Sequence, residues 1–202
     1  MDLADTFNVS RETFERLSEY VELVKRWNPK INLVSKSSID MLWDRHIWDS
    51  AQIFNHAPIG QNWLDIGSGG GFPALVVAIM AKELDPHQRV TMIESDTRKA
   101  VFLRTVIREL DLNASVLTQR IEQVPAQEAR VLSARALADL NLLLNFAERH
   151  LDPSGVCLFM KGETWKEELA EAQKGWRFSY KSHPSLTNPK AAILEIKELS
   201  RV

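Results

Sequence analysis

The sequence predicts an α/β protein: a doubly wound, mostly parallel sheet of seven strands, preceded by a helical extension. Three observations predict it. From Asn62 onward, short apolar runs alternate with helix-length segments, and repeated βα units give an open parallel sheet with helices on both faces. The first run, Trp63-Leu64-Asp65-Ile66, stops at Gly67-Ser68-Gly69-Gly70-Gly71, and an apolar run from Ala74 to Leu84 follows, so strand, tight turn and helix come in order. Before Trp63 nothing alternates with the period of two that a half-buried strand requires. The chain therefore divides into a helical extension, residues 1–58, packed on a main domain, residues 59–202.

In the extension, Ser10 can cap a helix running to about Trp27. Phe14, Leu17, Tyr20/Val21 and Val24 recur at helical spacing and give one apolar stripe. Pro29 is expected to end that helix, because a proline restricts the residue before it. A second helical segment starts at about Ser38 and runs through Arg45 and His46, and Asp49-Ser50 can start a further turn reaching Phe54. In the main domain the strands are expected at about 62–66, 89–94, 114–119, 131–135, 155–161, 176–183 and 191–198. Helices fall at 73–84, 97–110, 139–151 and 164–174. Only the loop Pro184 to Lys190 joins the last two strands, so they should pair antiparallel.

The chain has 202 residues, enough for a proper core. Its net charge of −2, from 25 basic and 27 acidic residues, argues against wholesale binding of nucleic acid and leaves room for local patches. No apolar run reaches membrane-spanning length, and Met1 to Asp5 lack a basic-then-apolar signal pattern, so a cytosolic protein is expected. The one cysteine, Cys157, lies in the apolar run Val156 to Met160 and is expected in the core, which excludes an internal disulfide and a cysteine metal cluster.

Half of the eight glycines sit between Gly67 and Gly71. Glycine lets a ligand approach the main chain, and a glycine turn opening a helix presents free N–H groups. The dinucleotide fingerprint wants a third glycine or alanine where this chain has Phe72, which leaves less room for a pyrophosphate. An acid, Glu94, ends the next strand, Arg89 to Glu94, where a carboxylate can accept both hydroxyls of a ribose. Asp65-x-Gly67-x-Gly69 with Glu94 looks like the S-adenosylmethionine site of doubly wound methyltransferases.

In such sheets the ligand lies beyond the C-terminal ends of the strands. Gly67, Gly69, Gly71 and Phe72 follow the first strand, Glu94 the second, Ile121 and Glu122 the third, Arg135 the fourth and Lys161 the fifth. Near Ile121 and Glu122, a backbone N–H can donate to an adenine ring nitrogen and a carboxylate can accept from its amine. The strand-four region, Leu132-Ser133-Ala134-Arg135-Ala136, has no Asn/Asp-Pro-Pro-aromatic loop of the kind that holds an exocyclic amine, and no cysteine sits there as a pyrimidine nucleophile. His46 and Asp49, one turn apart, are expected to serve capping and packing.

Taken in order, Trp27-Asn28-x-x-Ile31-Asn32-Leu33, Arg45-His46-x-x-Asp49-Ser50, Asp65-Ile66-Gly67-Ser68-Gly69-Gly70-Gly71-Phe72-Pro73, Ser133-Ala134-Arg135-Ala136 and Lys161-Gly162 closely resemble the glucose-inhibited division protein B family, bacterial small-subunit ribosomal RNA guanine-N7 methyltransferases. The resemblance covers nearly the whole chain. It implies the Rossmann-like class I methyltransferase fold and transfer of a methyl from S-adenosylmethionine to N7 of one guanine in the decoding region of 16S ribosomal RNA. The substrate would be naked RNA, the 30S subunit or an assembly intermediate, and the enzyme a monomer. The resemblance puts cofactor contacts at Gly67, Phe72, Ile121, Glu122 and Arg135. The chain departs from the family's Phe-Pro-Gly-Ile-Pro at Phe72-Pro73-Ala74-Leu75-Val76, and has Ser154-Gly155 where Gly-Gly is common.

Guanine N7 needs no general base, so positioning carries the expected mechanism. Arg135 and Lys161 are the candidates for holding RNA phosphate or the guanine O6. Three other readings stay open on the residues: a small-molecule methyltransferase on the same fold, a non-catalytic nucleotide- or RNA-binding module, and a nicotinamide oxidoreductase, the last weakened by Phe72.

Overall fold

The computed structural model describes residues 9–202. The first eight residues of the expected extension, and with them the N-terminal signal reading, lie outside the described residues.

Helix α1 (Arg11–Ile31) opens at Ser10, whose Oγ accepts from the Thr13 N–H at 3.3 Å. Glu83 then clasps this start, accepting from the Ser10 N–H and from the Ser10 and Thr13 hydroxyls. Leu17, Tyr20, Val21 and Val24 are buried as the stripe required, but Phe14 is exposed and stacks on Trp43 at 5.0 Å. Pro29 does not end the helix. A proline in a last turn removes one N–H from the ladder, and burial of Ile31 holds the chain helical past it. The stop comes at Asn32, in the left-handed conformation, whose N–H returns to Asn28 O, while Asn28 Oδ1 accepts from Val34 N. The two helical pieces expected after it are one irregular run: 3₁₀ over Lys36–Met41, π over Trp43–Trp48, a single α turn at Asp49–Ala51 and 3₁₀ again over Gln52–His56.

The sheet comprises β1 (Asn62–Ile66), β2 (Arg89–Ile93), β3 (Ala114–Leu117), β4 (Ala129–Arg135), β5 (Leu151–Lys161), β6 (Trp176–Pro184) and β7 (Ala192–Arg201). Helices α2 (Ala74–Leu84), α3 (Thr97–Glu109), α4 (Leu140–His150) and α5 (Trp165–Ala172) lie between them. The strand order is β3-β2-β1-β4-β5-β7-β6, parallel from β3 to β5, with β7 antiparallel to both β5 and β6. The third strand stops at Leu117, two residues before the expected end, and the fifth starts at Leu151, four residues before the expected start.

The two faces of the sheet follow the period of two. Trp63, Val131 and Leu158 face a core shared by α1, α2 and α3, while Leu64, Leu132 and Phe159 face α4 and α5. Every residue of α2 from Ala74 to Ala81 is buried, because α2 lies between the sheet and α1. Cys157 is fully buried in the core on the α4 side, and burial pushes its thiol far above the usual range. Among the described residues no helix is long and apolar enough to cross a membrane.

The strand order reverses between β1 and β4, and such a switch point opens a crevice above the C-terminal strand ends. Here Asp65 on β1 stands beside Ser133 on β4.

Candidate cofactor and acceptor site

At the switch point the structure holds a cavity of about 570 Å³. Its floor is the glycine turn. Gly67 and Ser68 both donate to Ile93 O, at 2.9 and 3.2 Å, which fastens the turn to β2. Gly67, Gly69 and Gly71 all have positive φ, a backbone open to glycine. They serve different ends. A Cβ at Gly69 would point into open space, the Gly67 carbonyl at 3.9 Å being its nearest neighbour, so this is where a ligand can come against the main chain. A Cβ at Gly67 would strike Leu137, on the opposite wall. Gly71, expected at the cofactor, is turned away from the cavity: a Cβ there would collide with Leu75 and stand 3.0 Å from Tyr20 Oη, so it lets α1 and α2 pack closely.

Glu94, only 8% exposed, lies at the cavity edge with both oxygens engaged. Oε2 accepts from Gly69 N at 2.8 Å and Oε1 from Asp96 N at 2.7 Å. Each carboxylate oxygen keeps a second acceptor direction, the chemistry a ribose hydroxyl would need. Ile121 and Glu122 form a short 3₁₀ turn beyond β3 and line the far end of the same cavity. Buried His150 contacts Ile121 O at 3.1 Å and holds that turn on α4. Open space beside Gly69, a buried acid at the glycine turn and a second acid beyond β3 fit S-adenosylmethionine, whose sulfonium is cationic and whose adenosine presents hydroxyls and an amine.

Beneath the turn lies a buried polar chain. The Trp63 indole N–H donates to Ser133 Oγ at 2.8 Å, and Ser133 Oγ donates to Asp65 Oδ1 at 2.6 Å. Among the described residues Asp65 Oδ2 has no hydrogen-bond partner. Burial raises the Asp65 carboxyl to about 6, against the Ser133 hydrogen bond and the nearby Ser68 hydroxyl, which pull it down.

Arg135, at the end of β4, stands on the opposite wall. Its guanidinium lies 5.1 Å from the Phe72 ring centroid. Nη1 donates to Asp49 Oδ2 at 3.1 Å and to Arg45 O at 3.3 Å, and Nη2 donates to His46 Nδ1 at 2.8 Å. Burial, then the Arg135 and Arg45 charges, lower the His46 imidazole to about 4, so it is neutral at pH 7. Its Nδ1 therefore accepts, and its Nε2–H donates to Ser38 Oγ at 3.0 Å, which in turn donates to Ser35 O. His46 also packs on Phe72 at 4.9 Å, and Phe72 on Tyr20 at 5.2 Å. The Tyr20 hydroxyl donates to Gly70 O at 2.6 Å, so the extension reaches under the glycine turn.

The structure thus gathers Gly67, Gly69, Phe72, Glu94, Ile121, Glu122 and Arg135 around one cavity. Lys161 is placed otherwise: its ammonium is bound to Glu168 Oε2 at 2.6 Å and to Ala138 O at 2.8 Å, and its side chain is 9% exposed. It secures α5 and the β4–α4 loop, and an incoming phosphate would have to compete with Glu168. His46 and Asp49 do join the extension to the sheet, as expected of a packing pair. Their further part, gripping Arg135, was not expected. The sequence spacing showed them one turn apart, but a partner ninety residues away leaves no local signal.

The family model described as GidB, rRNA small subunit methyltransferase G, matches residues 13–196. Similar curated proteins include the Ribosomal RNA small subunit methyltransferase G of Ruegeria pomeroyi, 53% identical over 98% of each chain. The protein of that name from Ruegeria sp. is 55% identical over 96% of this chain and 95% of its own. Among solved structures, a SAM-dependent methyltransferase from Aquifex aeolicus superposes with a TM-score of 0.60 at 15% identity, covering 77% of this chain and 92% of that one. TYW2 of M. jannaschii, solved in complex with AdoMet, gives 0.60 at 16% identity over 86% and 80%. These structures share the class I fold, and the family match with its near-full-length relatives shows that the chain belongs to the GidB family of small-subunit ribosomal RNA methyltransferases.

Proposed function

We propose that this enzyme methylates N7 of one guanine in the decoding region of 16S ribosomal RNA, within the 30S subunit or an assembly intermediate, acting as a cytoplasmic monomer. The observation that carries the reading is the joining of the glycine turn, Glu94 and Arg135 around one cavity in a chain of this family. When bound, S-adenosylmethionine supplies an electrophilic methyl on sulfur, and guanine N7 offers an in-plane lone pair with no proton to remove. The chain's own work is then to bind, orient and exclude water. Glu94 and the turn hold the nucleoside end. Arg135, fixed by three acceptors, faces the acceptor side with its cation in place. No residue at the site is asked to move a proton, which agrees with a neutral His46 whose two nitrogens are both engaged. The described part of the extension, residues 9–58, serves as the clamp that aligns Arg135 with the turn.

The test is transfer of labelled methyl from S-adenosylmethionine to 30S particles lacking the modification, followed by nuclease digestion and mass analysis. The label is expected as 7-methylguanine at a single site. Label on a free metabolite, on another atom, or no transfer by folded, cofactor-binding protein refutes the reading.

A further inference from the structure

A second cavity, of about 520 Å³, opens on the other side of Arg135. It shares His46, Arg135 and Ala136 with the first, so the two cavities adjoin along these residues. Two other cavities, at Ser18 to Glu109 and at Glu163 to Ala192, share no lining residue with the first. An acceptor atom must come within reacting distance of the cofactor methyl, and a base in a helix or stack cannot do so without being turned out into a pocket. The second cavity has the size of a small-ligand pocket and the right neighbour.

Its lining suits a purine. Met160, Ala192 and Ile193 give it an apolar side, and Gly162 at the end of β5 leaves the space above the backbone open, with nothing within 4 Å of a Cβ placed there. Its polar side is organised by Asp49. Oδ2 accepts from Arg135 on β4, and Oδ1 accepts from Gln52 Nε2 at 2.9 Å and Thr187 Oγ1 at 2.8 Å. Gln52 also fixes the β6–β7 loop, accepting from Leu186 N at 2.9 Å. One side chain of the extension therefore ties Arg135, at the border shared with the cofactor cavity, to the Ser185–Ala191 loop that lines the second cavity. Asp49 Oδ2 spends one of two acceptor directions on Arg135.

We propose that this second cavity is the pocket for the flipped-out acceptor guanine, and that Asp49 is the positioning residue that sets its two walls, Arg135 and the Ser185–Ala191 loop. The assignment rests on the functional reading above. It makes the base enter from the β5–β7 side, between Gly162 and the loop, with N7 leading toward the border beside Arg135 where the two cavities adjoin.

Two variants test it, each checked for folding by thermal melt and for S-adenosylmethionine affinity by calorimetry, then assayed in single-turnover transfer to unmethylated 30S particles. Gly162→Phe fills the cavity from a position where a side chain has room. It should keep cofactor affinity within about twofold and lose transfer by a hundredfold or more at every 30S concentration. Asp49→Asn keeps the shape but removes the charge facing Arg135. It should lower the maximal rate tenfold or more while the half-saturating 30S concentration moves little, because phosphate contacts elsewhere still dock the particle. A purely structural Asp49 would instead lower the melting temperature and leave the rate of the folded fraction unchanged. Wild-type transfer by either folded variant overturns the assignment, as does loss of cofactor affinity in Gly162→Phe. If Gly162→Phe fails to fold, Asp49→Asn decides alone. If the wild-type protein itself transfers no methyl to guanine N7, the functional reading falls and takes the pocket with it; normal wild-type transfer with active variants sinks the pocket alone.

Discussion

Asp65 is the residue whose ionisation should be felt throughout the protein. It is 1% exposed, Oδ1 accepts a single hydroxyl from Ser133, and Oδ2 has no hydrogen-bond partner among the described residues. Burial penalises its charged form and raises its carboxyl from 3.8 to about 6 in the folded chain. A raised acid binds more protons folded than unfolded, so it destabilises the native state as pH rises. Below the unfolded value both states are protonated and there is no penalty. Above about pH 6 both are ionised and the folded state carries the whole difference, about 3 kcal/mol. Roughly 1.4 kcal/mol of this falls between about pH 5 and about pH 7.5. Asp65→Asn keeps an acceptor for Ser133 and does not titrate. Urea unfolding of both proteins across that range should show the stability of Asn relative to Asp rising by about that amount with pH. The slope, rather than the offset, is the test, because the new amide brings its own unpaired N–H and shifts all points together. A difference that stays flat across the range would refute the buried, under-bonded carboxylate.

Glu94→Ala should weaken S-adenosylmethionine binding by about 1–3 kcal/mol, the loss of charged hydrogen bonds, and should also loosen the turn, since the Gly69 and Asp96 N–H groups lose their acceptor; unchanged affinity by calorimetry removes Glu94 from the site. Arg135→Ala should cost most of the methyl transfer and should raise the His46 imidazole above about 4 by removing a neighbouring cation, which NMR titration reads directly; a normal rate with an unmoved histidine refutes the place given to Arg135. Cys157→Ala should cost about 1 kcal/mol of stability and leave turnover near wild type; loss of turnover in folded protein would point to thiol chemistry.

The sheet could be read from local pattern, because each strand carries its own signal. Trp63 and Leu64, or Leu158 and Phe159, face opposite cores, and a strand buried on both faces reads as an unbroken apolar run in adjacent residues. The glycine turn and Glu94 were legible for the same local reason: a strand, a turn that needs positive φ, a helix and the next strand's last residue follow one another in the chain. Other features depend on residues far apart in the chain. Pro29 stayed inside its helix because buried Ile31 and the Asn32 cap outweigh one missing N–H. Gly71 makes room for Tyr20 and Leu75 rather than for a ligand. Lys161 found Glu168 instead of facing outward, and Asp49 and His46 found Arg135 across the switch point. A charged side chain at a strand end announces that it must be satisfied, but which group satisfies it is set by packing between segments that the one-dimensional pattern does not connect.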